Sequence, residues 1–239
     1  DYAGHGSIIV IGYVVDWLYR TLDILLKKGF EPIVVNAGVS DTMLEKCSSV
    51  YFRLEESMKN AIEYLTSAGR KNICLFGVNN MSLADRIKED TFLRVMSRDS
   101  EDPRELVIRG KNPLSEHVEE FFNCLEEREI DAVICSNDTL AIHLMSCMLR
   151  DGFKIPDDLY IVGMGNSLLG QKMAIPLSSI EFDYVELGSQ AFSMWRYLQR
   201  SGARVHVEVA IPCRFIPRAS TGMFIQTETD YNRFFEDIP

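Results

Sequence analysis

Short apolar runs rich in β-branched residues alternate with longer segments whose apolar residues recur at helical spacing, as in repeated βαβ units around parallel sheet. Residues 7–11 (SIIVI) predict a strand, 16–28 a helix stopped at Gly29, and 32–36 the next strand. The unit recurs as strand 49–52, helix 55–68 ended by Gly69, strand 72–76 (NICLF) and helix 82–96. The pattern continues with strand 105–108, helix 115–127, strand 132–135 (AVIC), helix 139–150 and strand 160–162. A long amphipathic helix over 185–200 and one or two closing strands within 205–216 complete it, and from 222 onward the chain is polar and aromatic without a period, as in a tail. No internal repeat or low-complexity segment interrupts the alternation.

SIIVI is apolar on both faces, which suits a central parallel strand covered by helices rather than a sheet edge. The expectation is therefore that further strands and helices precede Asp1, so that the first lobe is incomplete at its amino end.

Composition narrows the function classes. With 35 acidic against 25 basic residues, a net charge of -10 and a pI near 5.0, this segment is not expected to hold DNA or an anionic membrane by itself. Six cysteines are widely spaced, with no C-x-x-C and no histidine at metal-ligand spacing. They read as reduced, buried thiols of a cytoplasmic protein. No apolar stretch approaches the roughly 20 residues of a membrane helix. G-x-S-x-G, P-loop and H-E-x-x-H motifs are absent, and His5, His117, His143 and His206 show no ligand spacing, so no enzyme, metal or cofactor is expected.

The most informative stretch is 130–166, IDAVICSNDTLAIHLMSCMLRDGFKIPDDLYIVGMGN. An apolar strand ends in Asn-Asp, then come a helix, a glycine, an I-P-D-D turn and an apolar strand ending V-G. This order resembles the lactose/galactose-repressor (LacI/GalR) family of bacterial transcription regulators. Three further segments fall in family order: 61–76 (AIEYLTSAGRKNICLF), 176–188 (PLSSIEFDYVELG) and 212–221 (PCRFIPRAST), the last resembling the family's R-x-S-T ending. The resemblance implies a two-lobe, periplasmic-binding-protein-like α/β fold with parallel sheets flanked by helices. The corresponding division is 1–70 first lobe, 71–180 second lobe, 181–204 return to the first, 205–221 closing strands of the second and 222–239 tail.

The same resemblance implies a small polar ligand, a carbohydrate by default, held between the lobes and coupled to operator DNA through an upstream helix-turn-helix absent from this sequence. It also implies a homodimer, for which helix 185–200 offers Phe192, Trp195 and Leu198. Asn137, where a parallel strand meets a helix, is the foremost candidate for ligand contact, because such strand ends are where open α/β sheets bind ligands and an amide both donates and accepts. Alternatively Asn137 and Asp138 cap the following helix; the surrounding pattern points to ligand contact for Asn137 and a structural role for Asp138.

Departures from the family pattern modify the ligand. Lys88 stands where a pocket arginine is usual, keeping the charge without the bidentate fork, and Thr91 replaces a glycine. Gly165, followed by Asn166, replaces a pocket aspartate, and Arg53 stands where another aspartate is usual, with Glu55 or Glu56 able to take its place. Removing carboxylates and retaining cations leaves room for an anionic or phosphorylated ligand. Phe182 and Tyr184, in a crossover over 178–184, offer rings that stack on a sugar or base or simply pack. The candidate ligand-binding set is therefore Asn137, Lys88, Phe182, Asn166, Tyr184 and Arg53. The alternatives are an extracytoplasmic solute-binding protein serving a transporter and a scaffold that has lost its ligand and serves for dimerisation.

Overall fold

A computed structural model describes residues 6–12, 15–35, 44–79, 81–97, 102–110, 114–201 and 205–223. Residues 224–239, which hold nearly all of the expected tail, lie outside the described residues. The chain divides into two compact units. Unit 1 comprises Asp1–Met58, Asn79–Thr91 and Phe182–Cys213, and unit 2 comprises Lys59–Val78, Phe92–Glu181 and Arg214–Pro239.

In unit 1, β1 (Ser7–Ile11), β2 (Glu31–Val35), β3 (Ser48–Phe52) and β9 (Glu208–Ile211) form a four-stranded, all-parallel sheet in the order β1-β2-β3-β9. The period of two explains how so apolar a strand as β2 buries both faces. Ile33 and Val35 join a cluster with Leu187, Ala191, Met194 and Leu198 of α7 (Tyr184–Ser201). Val34, between them, packs with Leu18 and Leu22 of α1 (Val15–Lys27). Each such fully buried aliphatic side chain contributes about 1.5–3 kcal/mol. β1 follows the same alternation, Ile9 towards α7 and Val10 with the α1 cluster. Among the described residues it lies at the sheet edge, paired with β2 alone, with Ile11 71% exposed.

In unit 2, β4 (Ile73–Val78), β5 (Val107–Arg109), β6 (Ala132–Cys135), β7 (Tyr160–Met164), β8 (Ser178–Glu181) and β10 (Arg214–Ile216) form a six-stranded sheet ordered β10-β8-β7-β6-β4-β5. Only β10 is antiparallel to its neighbour. α2 (Leu54–Ser67), α3 (Leu83–Met96), α4 (Leu114–Glu127) and α5 (Asp138–Arg150) complete the long helices. The central β6 is buried throughout, as a parallel strand covered on both faces must be.

Several boundaries differ from the sequence reading; residues 59–70, expected in the first lobe, belong to unit 2. The strand expected at 105–108 begins at Val107, because Asp102 accepts a hydrogen bond from Arg104 N and Pro103 opens a 3-10 turn ahead of it. Residues 178–181, read as crossover, are strand β8, and α6 (Leu168–Gln171) is a helical turn capped by Ser167. The closing segment splits: β9 joins β3 in unit 1, while β10 pairs with β8 in unit 2. Pro212, lacking an N–H, separates them. Residues 79–91, expected in the second lobe, belong to unit 1, because Leu83, Ala84 and Ile87 join its hydrophobic clusters.

Candidate functional site

The parallel strands of unit 2 carry the polar loops at their carboxyl ends. β6 ends at Cys135, and Ser136 then donates its hydroxyl to Gly77 O at 2.7 Å, tying the β6 and β4 ends together. Asn137 follows in extended conformation (φ -157, ψ 165) as the N-cap of α5. Its Oδ1 accepts from Leu140 N at 2.9 Å, while the residue as a whole is exposed. Among the described residues Nδ2 has no protein partner. The structure thus makes Asn137 the cap of this helix and leaves the donor half of the amide at the strand end.

Asp138 does not share that task. It is buried, and its carboxylate accepts from Ser167 N at 2.5 Å and from Ser179 Oγ at 2.6 Å, fastening the loops after β7 and within β8 to the start of α5. The approach is so close that a Cβ on Gly163 would collide with Asp138 Oδ1, so glycine at 163 is a steric requirement of the carboxylate. Gly165, one step on, has φ 126, a conformation that L side chains rarely adopt.

Asn166 is also committed within unit 2. In a left-handed conformation (φ 49), it donates Nδ2 to Glu181 Oε1 at 2.8 Å, and its Oδ1 accepts from Arg218 NH2 at 2.6 Å and Gln171 Nε2 at 3.2 Å. The other Glu181 oxygen accepts two bonds from Arg214, at 3.1 and 2.5 Å. Arg218 further donates NH1 to Leu177 O at 2.6 Å. Glu181, Gln171, Arg214 and Arg218 were not singled out from the sequence as site residues. Arg218 was visible as the arginine of the R-x-S-T ending, but its bond to Asn166 spans 52 positions and no local pattern announces it.

In unit 1, Arg53, Phe182 and Tyr184 gather at the carboxyl end of β3, and Lys88 lies on α3. Phe52, the last residue of β3, stacks on Phe182 at 5.1 Å and 25°, and Tyr184 meets both edge-on, at 5.3 Å and 6.0 Å. Phe182 is half-buried, whereas Tyr184 is 56% exposed. Arg53, next to Phe52, is exposed; its main chain is held by Ile211 O and Ser57 Oγ, and its guanidinium lies 3.4 Å from Glu56. Lys88 is buried, not solvated, with Nζ 2.8 Å from Asp85 Oδ1. Asp85 also accepts from Asn79 N at 3.1 Å, so the pair is anchored to the chain leaving β4. The sequence candidates therefore form two groups: Arg53, Phe182, Tyr184 and Lys88 in unit 1, Asn137 and Asn166 in unit 2.

The cysteines are all free; Cys47, Cys74, Cys135 and Cys147 are buried, and Cys124 and Cys213 are half-buried. Burial pushes the Cys47 thiol up to about 11 and raises Cys74, Cys135 and Cys213 as well, which keeps these sulfurs protonated and unreactive. No group of three or more metal-ligating side chains occurs among the described residues. No helix among them is long and apolar enough to cross a membrane.

A sequence profile of the periplasmic binding protein-like domain matches residues 62–221 of the 239. The chain belongs to this family. Its relatives agree with the LacI/GalR resemblance. The HTH-type transcriptional regulator DegA of Bacillus subtilis is 26% identical over 163 residues, covering 67% of this chain and 48% of DegA. The chain thus spans about half the length of that curated relative. A LacI family regulator from Enterococcus faecium with bound ribose superposes with a TM-score of 0.73 at 20% identity, over 92% of this chain and 80% of that one. A sugar-binding LacI family regulator from Escherichia coli complexed with phosphate gives 0.73 at 18% identity, over 90% and 76%. At such identities the likeness in shape establishes the fold.

Proposed function

We propose that this chain is the effector-sensing region of a LacI/GalR-type transcription regulator, that it works in the cytoplasm, and that it is a binding protein, not an enzyme. The observation that carries the proposal is Asn137: an exposed amide at the carboxyl end of the central strand of a parallel sheet, its acceptor used by the helix and its donor left over. That is where open α/β sheets present groups to ligands. At the carboxyl end of β3 in unit 1, Phe182 and Tyr184 supply apolar ring faces and Arg53 supplies positive charge, while Lys88 is buried on α3 against Asp85. In this proposal Asn166 is a positioning residue, since its amide is taken up by Glu181, Arg218 and Gln171.

The ligand class that fits is a small polyhydroxylated or phosphorylated compound. Relatives bound to ribose and to phosphate support both halves of that description. A ligand can change the state of such a protein only by its differential affinity for the conformations available to it. Operator DNA is contacted by a helix-turn-helix outside this sequence, a division supported by the names of the relatives and by the charge of -10. The regulator acts as a homodimer. Phe192, 54% exposed and stacked on Trp195 at 5.7 Å, and Tyr197, 55% exposed, offer contact area on α7; Leu198, expected to contribute, is instead buried in the unit 1 core.

One observation favours a second reading, a scaffold without ligand: Lys88 already has its counter-ion and Asn166 its partners. The two are separated by titrating ribose, cellobiose, sugar phosphates, nucleosides and inorganic phosphate while following the unfolding temperature. Binding to the native state raises it by mass action. A saturable rise with one class, lost in an Asn137 variant, supports the sensor; no rise with any supports the scaffold.

A further inference from the structure

The other end of the unit 1 sheet, where the strands begin, holds a cavity of about 390 Å³. It is bounded by the last turn of α1 and the following Gly29, the amino ends of β2 and β3, the last turn of α7 and the approach to β9 at Val205 and His206. The volume lies at the small end of the range of small-molecule pockets, about 300–1,000 Å³. Leu26, Phe30, Pro32, Leu198 and Val205 make an apolar wall. The polar lining carries both signs: Lys46 and His206, both exposed, and Glu31, with Ser48 beside them. Among the described residues neither Lys46 nor His206 has an ion-pair partner. The floor is fixed, since the buried Ser48 hydroxyl accepts from Val207 N at 3.1 Å and Val207 O accepts from Ser49 N at 2.9 Å.

We propose that this cavity is a second small-molecule site and that it takes an apolar α-amino acid. The carboxylate pairs with Lys46, the ammonium meets Glu31, and the aliphatic or aromatic side chain lies on the apolar wall. A sugar phosphate is the wrong shape of charge for it, because Glu31 opposes a second negative group. The site lies at the amino ends of strands whose carboxyl ends carry Phe52 and Arg53, so it is separate from the groups assigned above.

Isothermal titration of L-leucine and L-phenylalanine into the purified chain tests this. The expected result is saturable binding, about tenfold weaker for leucinamide, which lacks the carboxylate, and about tenfold weaker in Lys46→Gln. Val205→Trp, at a position 45% exposed and so tolerant of bulk, fills the cavity and abolishes binding, whereas Asn137→Ser leaves it unchanged. Absence of saturable binding by the wild type up to about 10 mM overturns the proposal. So does wild-type affinity in both Lys46→Gln and Val205→Trp, and so does loss of leucine binding in Asn137→Ser, which would move the amino acid to the other strand ends.

Discussion

Asn137 caps α5 with one side-chain atom and is proposed to hold the ligand with the other, and a pair of substitutions separates the cap from the proposal. Oδ1 accepts the Leu140 N–H at 2.9 Å as the cap of α5, and Nδ2 is the group assigned to the ligand. Serine caps about as well as asparagine but offers no amide donor at that reach. Asn137→Ser should therefore leave the unfolding midpoint nearly unchanged while weakening the ligand found in the sugar and phosphate panel. The lost hydrogen bond is worth about 1–3 kcal/mol, or about one to two decades in dissociation constant. Asn137→Ala should show the same affinity loss and, in addition, the missing cap. Asp138 cannot replace that cap, because its carboxylate is held by Ser167 N and Ser179 Oγ. A cap costs about 1 kcal/mol, about 2–4 °C in midpoint for a domain of this size. Calorimetric titration and thermal unfolding on the same two proteins read both quantities. If Asn137→Ser binds as the wild type does and Asn137→Ala loses only stability, Asn137 is a cap and nothing more, and the assignment of the ligand to this strand end is refuted.

Asp138→Ala should destabilise unit 2 by about 2–4 kcal/mol in urea unfolding, since it strips two donors of a charged acceptor, one of them on the buried Ser179. Gly163→Ala should cost about 1–3 kcal/mol by driving a methyl into Asp138 and Leu177, and a stability within error of the wild type would contradict the close approach. Phe182→Ala should weaken sugar binding about two- to tenfold with little change in helix content, as measured by titration and circular dichroism. The purified chain should not retard a DNA probe at physiological salt; retardation would place DNA contacts within this acidic segment.

The alternation of short apolar runs with amphipathic helices was enough to read the α/β class and most elements, because a parallel strand buried on both faces and a helix buried on one leave different periods in the sequence. Ile33, Val34 and Val35 show the first in three consecutive residues, and Leu187, Ala191, Met194 and Leu198 the second. What escaped was whatever depends on partners distant in sequence. β8 is four residues long with two serines, Ser178 and Ser179, and reads as loop until its neighbours on both sides are known. Lys88 reads as a pocket cation, and nothing in its charged neighbours announces its burial, which comes from Leu83, Ala84 and Ile87 carrying that helix into the unit 1 clusters. Asn137 and Asp138 were both legible as important, yet sequence order alone could not say which side chain turns to the helix and which to the loop after β7 and to strand β8. The Asn166, Glu181 and Arg218 network closes across 15 and 52 positions and leaves no periodic trace.

The collision between a side chain at 163 and the Asp138 carboxylate makes these two positions a locked pair over evolutionary time. Neither can drift first without loss: a larger residue at 163 strikes the acid, and a smaller residue at 138 strands the Ser167 and Ser179 donors. A lineage descending from this chain keeps both or replaces both together. Among the described glycines none would drive a Cβ into Asn137 or Arg53, so these exposed strand-end residues are not locked to a partner in that way. The positions proposed to meet the ligand can therefore vary while the joint beneath them stays fixed.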